Sequence, residues 1–345
     1  MKVGLTGFPG SGKTTVFTAL TGLRTAAGER KAQIGTIKVP DARVDALAEI
    51  HQPKKTTFAE VTFVDFPPPL QATKKTVVDA DMITALRDAD ALVQVVRGFP
   101  DLAGAAPTPA DDIRAFATEL ALADLARVEK KVERMKKEKG SDRELALFTR
   151  LQQVLEEGRG LRTVGLSADE QTALAGFAFL SLRPLLVVLN VPEADVAKPV
   201  PADVAAAAKE SGADALVLSA AVEAEVAELE PADRQAFLAD LGLTESARDR
   251  FIRASYALLD LVSFLTAGDD ECRAWPIRRG TPARKAAGRI HSDIERGFIR
   301  AEVVAFDDFV RLGSEAKCRE AGKLRLEGKD YVVQDGDIVH FRFAV

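Results

Sequence analysis

The fold is decided by the stretch Gly7-Phe8-Pro9-Gly10-Ser11-Gly12-Lys13-Thr14. It has the phosphate-loop pattern Gly-x-x-x-x-Gly-Lys-Ser/Thr, and it stands between an apolar run at 1–5 and a helical segment at 16–20. In a strand–loop–helix context, glycines let successive backbone N–H groups surround phosphate oxygens. A glycine-rich turn that only caps a helix is the plain alternative, but it gives the lysine and threonine no role. We therefore expect a nucleoside triphosphate site here.

The phosphate loop assigns roles to individual side chains. Lys13 is the predicted catalytic residue, because its ammonium reaches the β- and γ-phosphate oxygens as a point charge. The Thr14 hydroxyl is an expected ligand of Mg²⁺. The predicted nucleotide contacts in and next to the loop are Phe8, Pro9, Gly10, Ser11, Gly12, Lys13, Thr14 and Thr15.

Length and composition limit the classes of protein to which this chain can belong. A chain of 345 residues exceeds one ordinary hydrophobic core, so about two or three domains are expected. The apolar runs, including 184–191 with its single Asn190, are far shorter than a membrane span, and residues 1–12 lack the pattern of a secretory signal. Cys272 and Cys318 have no paired spacing, which argues against a disulfide framework or a zinc site. We expect a soluble, cytoplasmic protein with no membrane partner.

Short apolar segments predict one α/β domain that is interrupted by an insertion. Residues 1–110 alternate apolar strands with helical segments, which is typical of a parallel sheet. The predicted strands lie at 61–64, 91–96, 184–191 and 216–218. Residues 111–180 lack strands and are helical and charged. The predicted nucleotide domain therefore comprises 1–110 and 181–260, and residues 111–180 are its insertion.

The insertion has the apolar spacing of two helices. The positions in question are Leu125, Val128, Val132 and Met135, followed after a break at Gly140-Ser141 by Leu147, Leu151 and Val154. This spacing favours an antiparallel helical hairpin. An amphipathic bundle packed on the first domain fits the same spacing, and both interpretations stay open.

The third predicted block is residues 261–345. Alternating apolar segments at 298–304 and 331–333, a turn at 335–337 and a closing strand at 338–343 indicate a small β-rich domain.

A second motif bears on which base is bound. The strand after the insertion ends in Asn190-Val191-Pro192-Glu193, where guanine-binding proteins of this architecture carry Asn-Lys-x-Asp. In that motif the Asp carboxylate accepts bonds from guanine N1–H and amine, which adenine cannot supply, and the Lys stem covers the base. Glu193 is one methylene longer and Val191 has no ammonium, so selection for guanine should be weak. The predicted base contacts are Asn190, Glu193, Ser219 and Ala220.

A family resemblance rests on motifs along the whole chain. The C-terminal ones are Phe251-Ile252-Arg253-Ala254-Ser255-Tyr256, Arg273-Ala274-Trp275, Ala286 to Asp293, Gly297 to Val303 and Gly322 to Tyr331. Together with the phosphate loop, Val39-Pro40-Asp41, the helical segment 118–125 and the Asn-x-x-Glu variant, they resemble YchF-type proteins, which are Obg-related P-loop NTPases. The resemblance implies an α/β fold: a Ras-like P-loop domain with an inserted helical hairpin, and a ubiquitin-like (β-grasp) TGS domain over 261–345.

The resemblance also implies ligands and partners. It implies binding of ATP, often above GTP, with Mg²⁺ held by Thr14 and Asp65. It implies association with the ribosome or ribosomal RNA through the TGS domain and the hairpin. Sequence-specific DNA binding is not expected, and the protein is expected to be a monomer.

Three departures from the family pattern predict slow hydrolysis. After Asp65 the family continues as Asp-x-x-Gly, whose glycine N–H binds the γ-phosphate, but here Pro68 has no N–H to donate. The first switch, with its Mg²⁺-sensing threonine, has no counterpart between Leu23 and Ile34. The loop 97–109 also lacks the histidine that related proteins carry.

Several conspicuous residues receive structural interpretations. We expect Trp275 and Phe298 in the core and His291 in a local hydrogen bond, not on RNA or a metal. The segment 273–300 carries eight Lys or Arg and two acidic residues in a chain of net charge -5. A solvated face explains this excess as well as a phosphate-facing surface does, and the resemblance favours ribosomal RNA.

Two classes of function fit the sequence. In the first the protein is an ATP-preferring hydrolase in which water attacks without a recognisable side-chain base. In the second it is a non-hydrolysing, nucleotide-gated binding module for a ribosomal or other protein partner. Adenylate kinases share the loop pattern Gly-x-Pro-Gly-Ser-Gly-Lys-x-Thr, but that family would not carry the C-terminal block.

Overall fold

The computed structural model describes residues 1–23, 32–66, 80–138 and 141–344. The chain forms two compact units, one made of Met1–Ile37 and Thr62–Leu258 and the other of Lys38–Val61 and Leu259–Val345. Residues 38–61 therefore group with the C-terminal block, although the sequence pattern placed them in the nucleotide domain. The domain boundary at 260/261 and the limits of the insertion stay predictions.

The described residues form strands β1–β12, and a six-stranded sheet is the centre of the first unit. In spatial order its strands are β2 (Gln33–Lys38), β4 (Glu60–Asp65), β1 (Lys2–Thr6), β5 (Ala91–Arg97), β6 (Leu185–Asn190) and β7 (Asp214–Leu218). β1 pairs in parallel with β4 and β5, and β6 pairs in parallel with β5 and β7. β5 and β6 are buried and rich in valine and leucine, as expected of parallel strands covered on both faces. The predicted α/β fold and its strands are confirmed.

Helices of the first unit follow these strands. They are α1 (Lys13–Thr21), α3 (Ala80–Leu86), α4 (Pro109–Glu138), α5 (Asp142–Glu156), α6 (Ala168–Leu174), α7 (Ala202–Glu210), α8 (Ala220–Glu228), α9 (Pro231–Asp240) and α10 (Ala247–Leu258). No helix among the described residues is both long enough and apolar enough to span a membrane.

α4 and α5 share an apolar core. Val128, Val132 and Met135 of α4 are buried in one cluster with Leu147 and Leu151 of α5. The next core residue is Leu155 rather than the predicted Val154, because a spacing of four keeps the helix stripe on the same face.

A buried carboxylate fastens α4 to the segment before β6. Asp124 accepts hydrogen bonds from the backbone N–H groups of Leu180 (3.0 Å) and Ser181 (2.7 Å). Burial raises the pKa of Asp124, and these hydrogen bonds oppose that shift.

A second six-stranded sheet forms the other unit. In spatial order its strands are β11 (Arg325–Glu327), β10 (Phe298–Ala305), β12 (Asp337–Phe343), β8 (Leu261–Thr266), β9 (Glu271–Arg278) and β3 (Lys55–Thr57). The helices of this unit are α2 (Ala42–His51), α11 (Ala283–Ile290), α12 (Ser292–Arg296), α13 (Phe306–Leu312) and α14 (Glu315–Glu320). β3 pairs in parallel with β9, which is why residues 38–61 group with this unit.

The core of the second unit lies between its sheet and α11. Phe264, Val303, Val339 and Phe341 are buried there against Ala286 and other residues of α11. The predicted core roles of Trp275 and Phe298 are confirmed, since both pack against this cluster. His291 makes the predicted local bond: its Nδ1 accepts from the Asp293 N–H (3.2 Å) and caps α12.

The alternating segment 331–333 is not a strand, contrary to its pattern. Val332 makes only an isolated bridge with Pro282. The Asp337 carboxylate accepts hydrogen bonds from the Tyr331 hydroxyl (2.7 Å) and the Gln334 N–H (2.8 Å), so the chain turns here instead of pairing. The predicted turn at 335–337 is confirmed, with Gly336 at φ 83°.

Candidate phosphate-binding site

Five segments meet at one edge of the first sheet. Because β1, β4, β5, β6 and β7 run parallel, their carboxyl ends lie at the same edge. The phosphate loop follows β1 there, and Asp65 ends β4. Asn190 ends β6, and Ser219 follows β7. The residues predicted from separate motifs are thus brought to one edge.

The phosphate loop leads directly into α1. Gly12 is the N-cap in the left-handed conformation (φ 82°), and no side chain caps the helix. The first N–H groups of a helix have no partner within the helix, so here they face the loop with the positive end of the helix dipole. A Cβ at position 12 would lie 2.3 Å from the Asn190 Nδ2, which leaves room only for glycine. This end of α1 can accept an anion.

The predicted phosphate and metal ligands contact one another. The Lys13 ammonium, which is largely buried, donates hydrogen bonds to the Asp65 carboxylate and to the Phe66 carbonyl oxygen. The Thr14 hydroxyl donates to the other oxygen of the Asp65 carboxylate (3.0 Å). One small cluster therefore forms where the loop enters α1. It joins a positively charged lysine and a threonine from α1 to a negatively charged aspartate from β4.

Asn190 connects the loop to the next motif. Its Nδ2 donates a hydrogen bond to the Ser11 carbonyl oxygen (3.1 Å), and its Oδ1 accepts one from the Ala220 N–H (3.1 Å). The side chain is buried, so both bonds are protected from water. Asn190 therefore holds the phosphate loop and the start of α8 at a fixed separation.

The remaining residues of the base motif do not converge on the loop in the same way. Glu193 is exposed at the start of a short 3-10 turn, and Val191 is buried in the core beside α7. The Ser219 side chain caps α8 through the Val222 N–H (3.5 Å). The Ala220 N–H, predicted to contact a base, is engaged by Asn190.

The residues of the phosphate loop differ in how much of each is exposed to solvent. Ser11 and Lys13 are buried, and Phe8 and Gly12 are half-buried. Pro9, Gly10, Thr14 and Thr15 are exposed. The Ser11 Oγ is buried and finds no hydrogen-bond partner among the residues that the structure describes. Pro68 and residues 24–31 of the first-switch region lie outside the described residues.

Sequence reasoning missed two residues at this edge. The Phe99 ring, after β5, lies 3.9 Å from the position of a Cβ at residue 12. Arg97 donates to the Phe99 carbonyl oxygen (2.6 Å) and so helps to fix this loop. The sequence signal that could have identified Phe99 is an aromatic residue shortly after the end of a buried strand. Glu223, on α8, has a structural role: its carboxylate accepts hydrogen bonds from the N–H groups of Ala247 (2.8 Å) and Arg248 (3.1 Å) and caps α10.

Family models match both ends of the chain. Residues 2–147 match a model described as "50S ribosome-binding GTPase". Residues 261–344 match the C-terminal YchF GTPase model, described as "Protein of unknown function (DUF933)".

Curated relatives match along the whole length. The "Ribosome-binding ATPase YchF" of Haemophilus ducreyi is 42% identical over 100% of this chain and 99% of its own. The Bacillus subtilis protein of the same name is 38% identical over 100% of both chains. The chain belongs to the YchF family. A solved structure of the Schizosaccharomyces pombe YchF GTPase superposes with a TM-score of 0.86 at 28% identity, covering 99% of this chain and 97% of that one.

Membership of the YchF family fits the geometry described above. The fold is the mixed α/β P-loop GTPase fold, with a YchF-type C-terminal domain. Full-length YchF relatives leave the adenylate-kinase alternative without support.

Gly12→Ala should destabilise the protein more than Gly10→Ala. Both glycines have φ near 80°, so both changes incur the left-handed strain of about 1 kcal/mol. A Cβ at position 10 meets nothing within 4 Å, whereas one at position 12 displaces the Asn190 amide and breaks its two hydrogen bonds. We expect an additional loss of about 1–2 kcal/mol for Gly12→Ala in urea unfolding without nucleotide. Equal losses for the two variants would contradict the described packing of Asn190.

Proposed function

We propose that the protein binds Mg²⁺-ATP at the phosphate loop and hydrolyses it slowly. The observation that carries this proposal is the cluster of Lys13, Thr14 and Asp65 beside the uncapped start of α1. The helix end and the Lys13 ammonium supply positive charge where phosphates would bind. The relatives are named ribosome-binding ATPases, which agrees with this nucleotide.

The donor set fits a magnesium ion. The Thr14 hydroxyl and the Asp65 carboxylate lie 3.0 Å apart and offer the hard oxygen ligands that Mg²⁺ prefers. These two residues would hold the ion, which would supply positive charge that neutralises the phosphates. The Lys13 ammonium binds the Asp65 carboxylate in this structure, and on nucleotide binding a phosphate oxygen would replace that carboxylate. The buried ammonium would therefore keep a negatively charged partner in both states.

The base motif supports ATP at least as strongly as GTP. Val191 is buried in the core and Glu193 is exposed, so neither residue reproduces the ammonium stem and short carboxylate that secure guanine. The Phe99 ring beside Gly12 offers an apolar surface that does not distinguish the two purines. Selection for guanine therefore has no dedicated group among the predicted base contacts.

Slow hydrolysis follows from the groups near the loop. The three histidines, His51, His291 and His340, all belong to the second unit, so the unit that holds the loop offers no imidazole base. Asp65 is engaged by Lys13 and Thr14. Attack by water would then depend on positioning and charge neutralisation alone.

We further propose that the C-terminal domain is a TGS domain of the β-grasp type and that α4 and α5 form the inserted hairpin. The relatives' name supports association with the ribosome, and we propose that the protein acts there, in the cytoplasm, as a monomer. α11 supports this partner: it buries three alanines and exposes Arg284, Lys285 and Arg289. Lys285 is paired with the Glu295 carboxylate (2.7 Å), and the Arg284 Nε donates to the Glu295 carbonyl oxygen (3.2 Å). The candidates for RNA phosphates are therefore the remaining N–H groups of Arg284 and the exposed Arg289.

Calorimetry should show that Mg²⁺-ATP binds at least as tightly as Mg²⁺-GTP. Lys13→Ala should weaken binding of either triphosphate by about tenfold or more, because a charge that faces phosphate is lost. Lys2→Ala removes an exposed lysine from β1 of the same unit and should leave both affinities unchanged. A preference for GTP of about tenfold, or about 1.4 kcal/mol, would refute the interpretation of the base motif.

Single-turnover ATP hydrolysis should be far slower than about 1 per second, because the unit that holds the loop contains no histidine to orient water. Lys13→Ala serves as the control for contaminating ATPases. A rate near 1 per second that disappears in this variant would show that a catalytic group has been missed. Acceleration only by added ribosomes would mean that the partner completes the site.

Ribosome co-sedimentation should fall in the double variant Arg284→Glu/Arg289→Glu, because two candidate phosphate contacts become repulsive. The matched control is Arg311→Glu/Lys317→Glu, which makes the same change in charge on α13 and α14 of the same unit. We expect a several-fold loss for the α11 variant only, with ATP affinity unchanged in both. Equal losses would indicate a nonspecific effect of net charge.

A further inference from the structure

Lys13 and Asp65 form a buried ion pair where the phosphate loop enters α1. Their side chains are only 9% and 7% exposed to solvent. The Lys13 ammonium donates hydrogen bonds to one oxygen of the Asp65 carboxylate and to the Phe66 carbonyl oxygen. The Thr14 hydroxyl donates to the other carboxylate oxygen (3.0 Å). Each oxygen of this carboxylate therefore already accepts a hydrogen bond from a residue of the phosphate loop.

The ion pair joins the two groups that a magnesium–triphosphate complex would use. Under the proposed function, Lys13 binds phosphate oxygens and Asp65 holds the ion. While these two side chains bind each other, the ammonium repels a cation that approaches Asp65, and the carboxylate repels a polyanion that approaches Lys13. The ion pair therefore competes with both ligands at the same time.

Burial makes the replacement of one partner alone unfavourable. A free triphosphate that bound Lys13 would leave the Asp65 carboxylate buried, without a cation, beside several negative charges. A free Mg²⁺ ion that bound Asp65 would leave the Lys13 ammonium buried, without an anion, beside a dication. A buried charge that loses its partner is strongly destabilising, whereas two ion pairs that exchange partners keep every charge compensated.

The side chains at this point are too few to complete a metal site. Thr14 and Asp65 contribute one oxygen-bearing group each, and the described residues contain no cluster of three or more His, Cys, Asp or Glu that could hold a metal ion. Mg²⁺ demands octahedral coordination and is usually bound by one or two carboxylates together with substrate phosphates. Phosphate oxygens would therefore complete the coordination that these two residues begin.

We propose that the Lys13–Asp65 ion pair is an autoinhibitory contact that admits metal and polyphosphate only together. Entry of the complex replaces one ion pair by two, in which Lys13 binds phosphate and Asp65 binds the metal. Neither ligand alone makes this exchange without leaving a buried charge unpaired. The site thus selects Mg²⁺-ATP over free ATP and over free Mg²⁺. This inference rests on the proposed function, because it concerns the regulation of the same site.

Asp65→Asn tests the contact from the phosphate side. It removes the competing carboxylate and keeps a side chain of similar size, so free ATP, titrated calorimetrically in EDTA, should bind this variant at least about tenfold more tightly than the parent protein. Mg²⁺ should tighten ATP binding at least about tenfold in the parent protein and less than about twofold in the variant. Asp203→Asn, at an exposed position of α7, makes the same change in charge and should leave both affinities unchanged.

A double-mutant cycle separates the release of Lys13 from the mere loss of a negative charge. If Asp65 acts by binding the ammonium, the gain in free-ATP affinity that Asp65→Asn causes should be at least about fivefold smaller in the Lys13→Ala background. An equal gain in both backgrounds would show that Asp65 only repels ATP, and it would overturn the proposal.

Lys13→Ala tests the contact from the metal side. It leaves the Asp65 carboxylate without its ammonium, so Mn²⁺ added without nucleotide and followed by electron paramagnetic resonance should bind at least about fivefold more tightly than to the parent protein. The double variant Lys13→Ala/Asp65→Asn should lose this gain. Unchanged Mn²⁺ affinity in Lys13→Ala would overturn the proposal, and this measurement decides the matter if Asp65→Asn fails to fold.

The same titrations distinguish this inference from the proposed function. If the parent protein binds Mg²⁺-ATP but folded Asp65→Asn gains no affinity for free ATP, the autoinhibitory contact is refuted and the proposed function stands. If the parent protein does not bind Mg²⁺-ATP, the proposed function is refuted, and this inference is refuted with it.

Discussion

The parallel pairing of β1 with its neighbours is the constraint on which the candidate site depends. It places the carboxyl ends of β1, β4, β5, β6 and β7 at one edge of the first sheet, and segments that are far apart in the chain meet at that edge. The phosphate loop, Asp65 and Asn190 meet for this reason alone.

Charge neutralisation dominates the energetics of this edge. A lysine and an aspartate that are both largely excluded from water would each be costly alone, and each compensates the other. The Asn190 amide, by contrast, is neutral and acts through geometry, because it bonds the carbonyl oxygen of one motif and the N–H of another. Electrostatics thus stabilises the paired charges at the loop, while an uncharged bridge sets the distance to the neighbouring motif.

The sequence was most informative where a pattern repeats locally or where one motif requires particular residue types. The strands of the first sheet are continuous apolar runs, and the loop has a fixed spacing of glycine, lysine and threonine, so both could be predicted. The two bonds of Asn190 and the position of Phe99 depend on tertiary neighbours, which no local pattern encodes. The segment 331–333 alternates like a strand, but the Asp337 carboxylate engages its polar groups and bends it. The pairing of β3 with β9, which groups residues 38–61 with the second unit, gives no signal in the sequence, because β3 is three residues long and carries no periodic pattern.

The pairing of β3 with β9 also bears on the order in which the chain acquires its structure. β3 leaves the ribosome early in synthesis, whereas β9 is made only after the whole of the first unit. A three-residue strand has no independent stability, and joining it to so distant a partner closes a very long loop. Contacts of this kind slow folding. The sheet of the second unit is therefore completed late, because β3 cannot pair with β9 until residues 271–278 have been made.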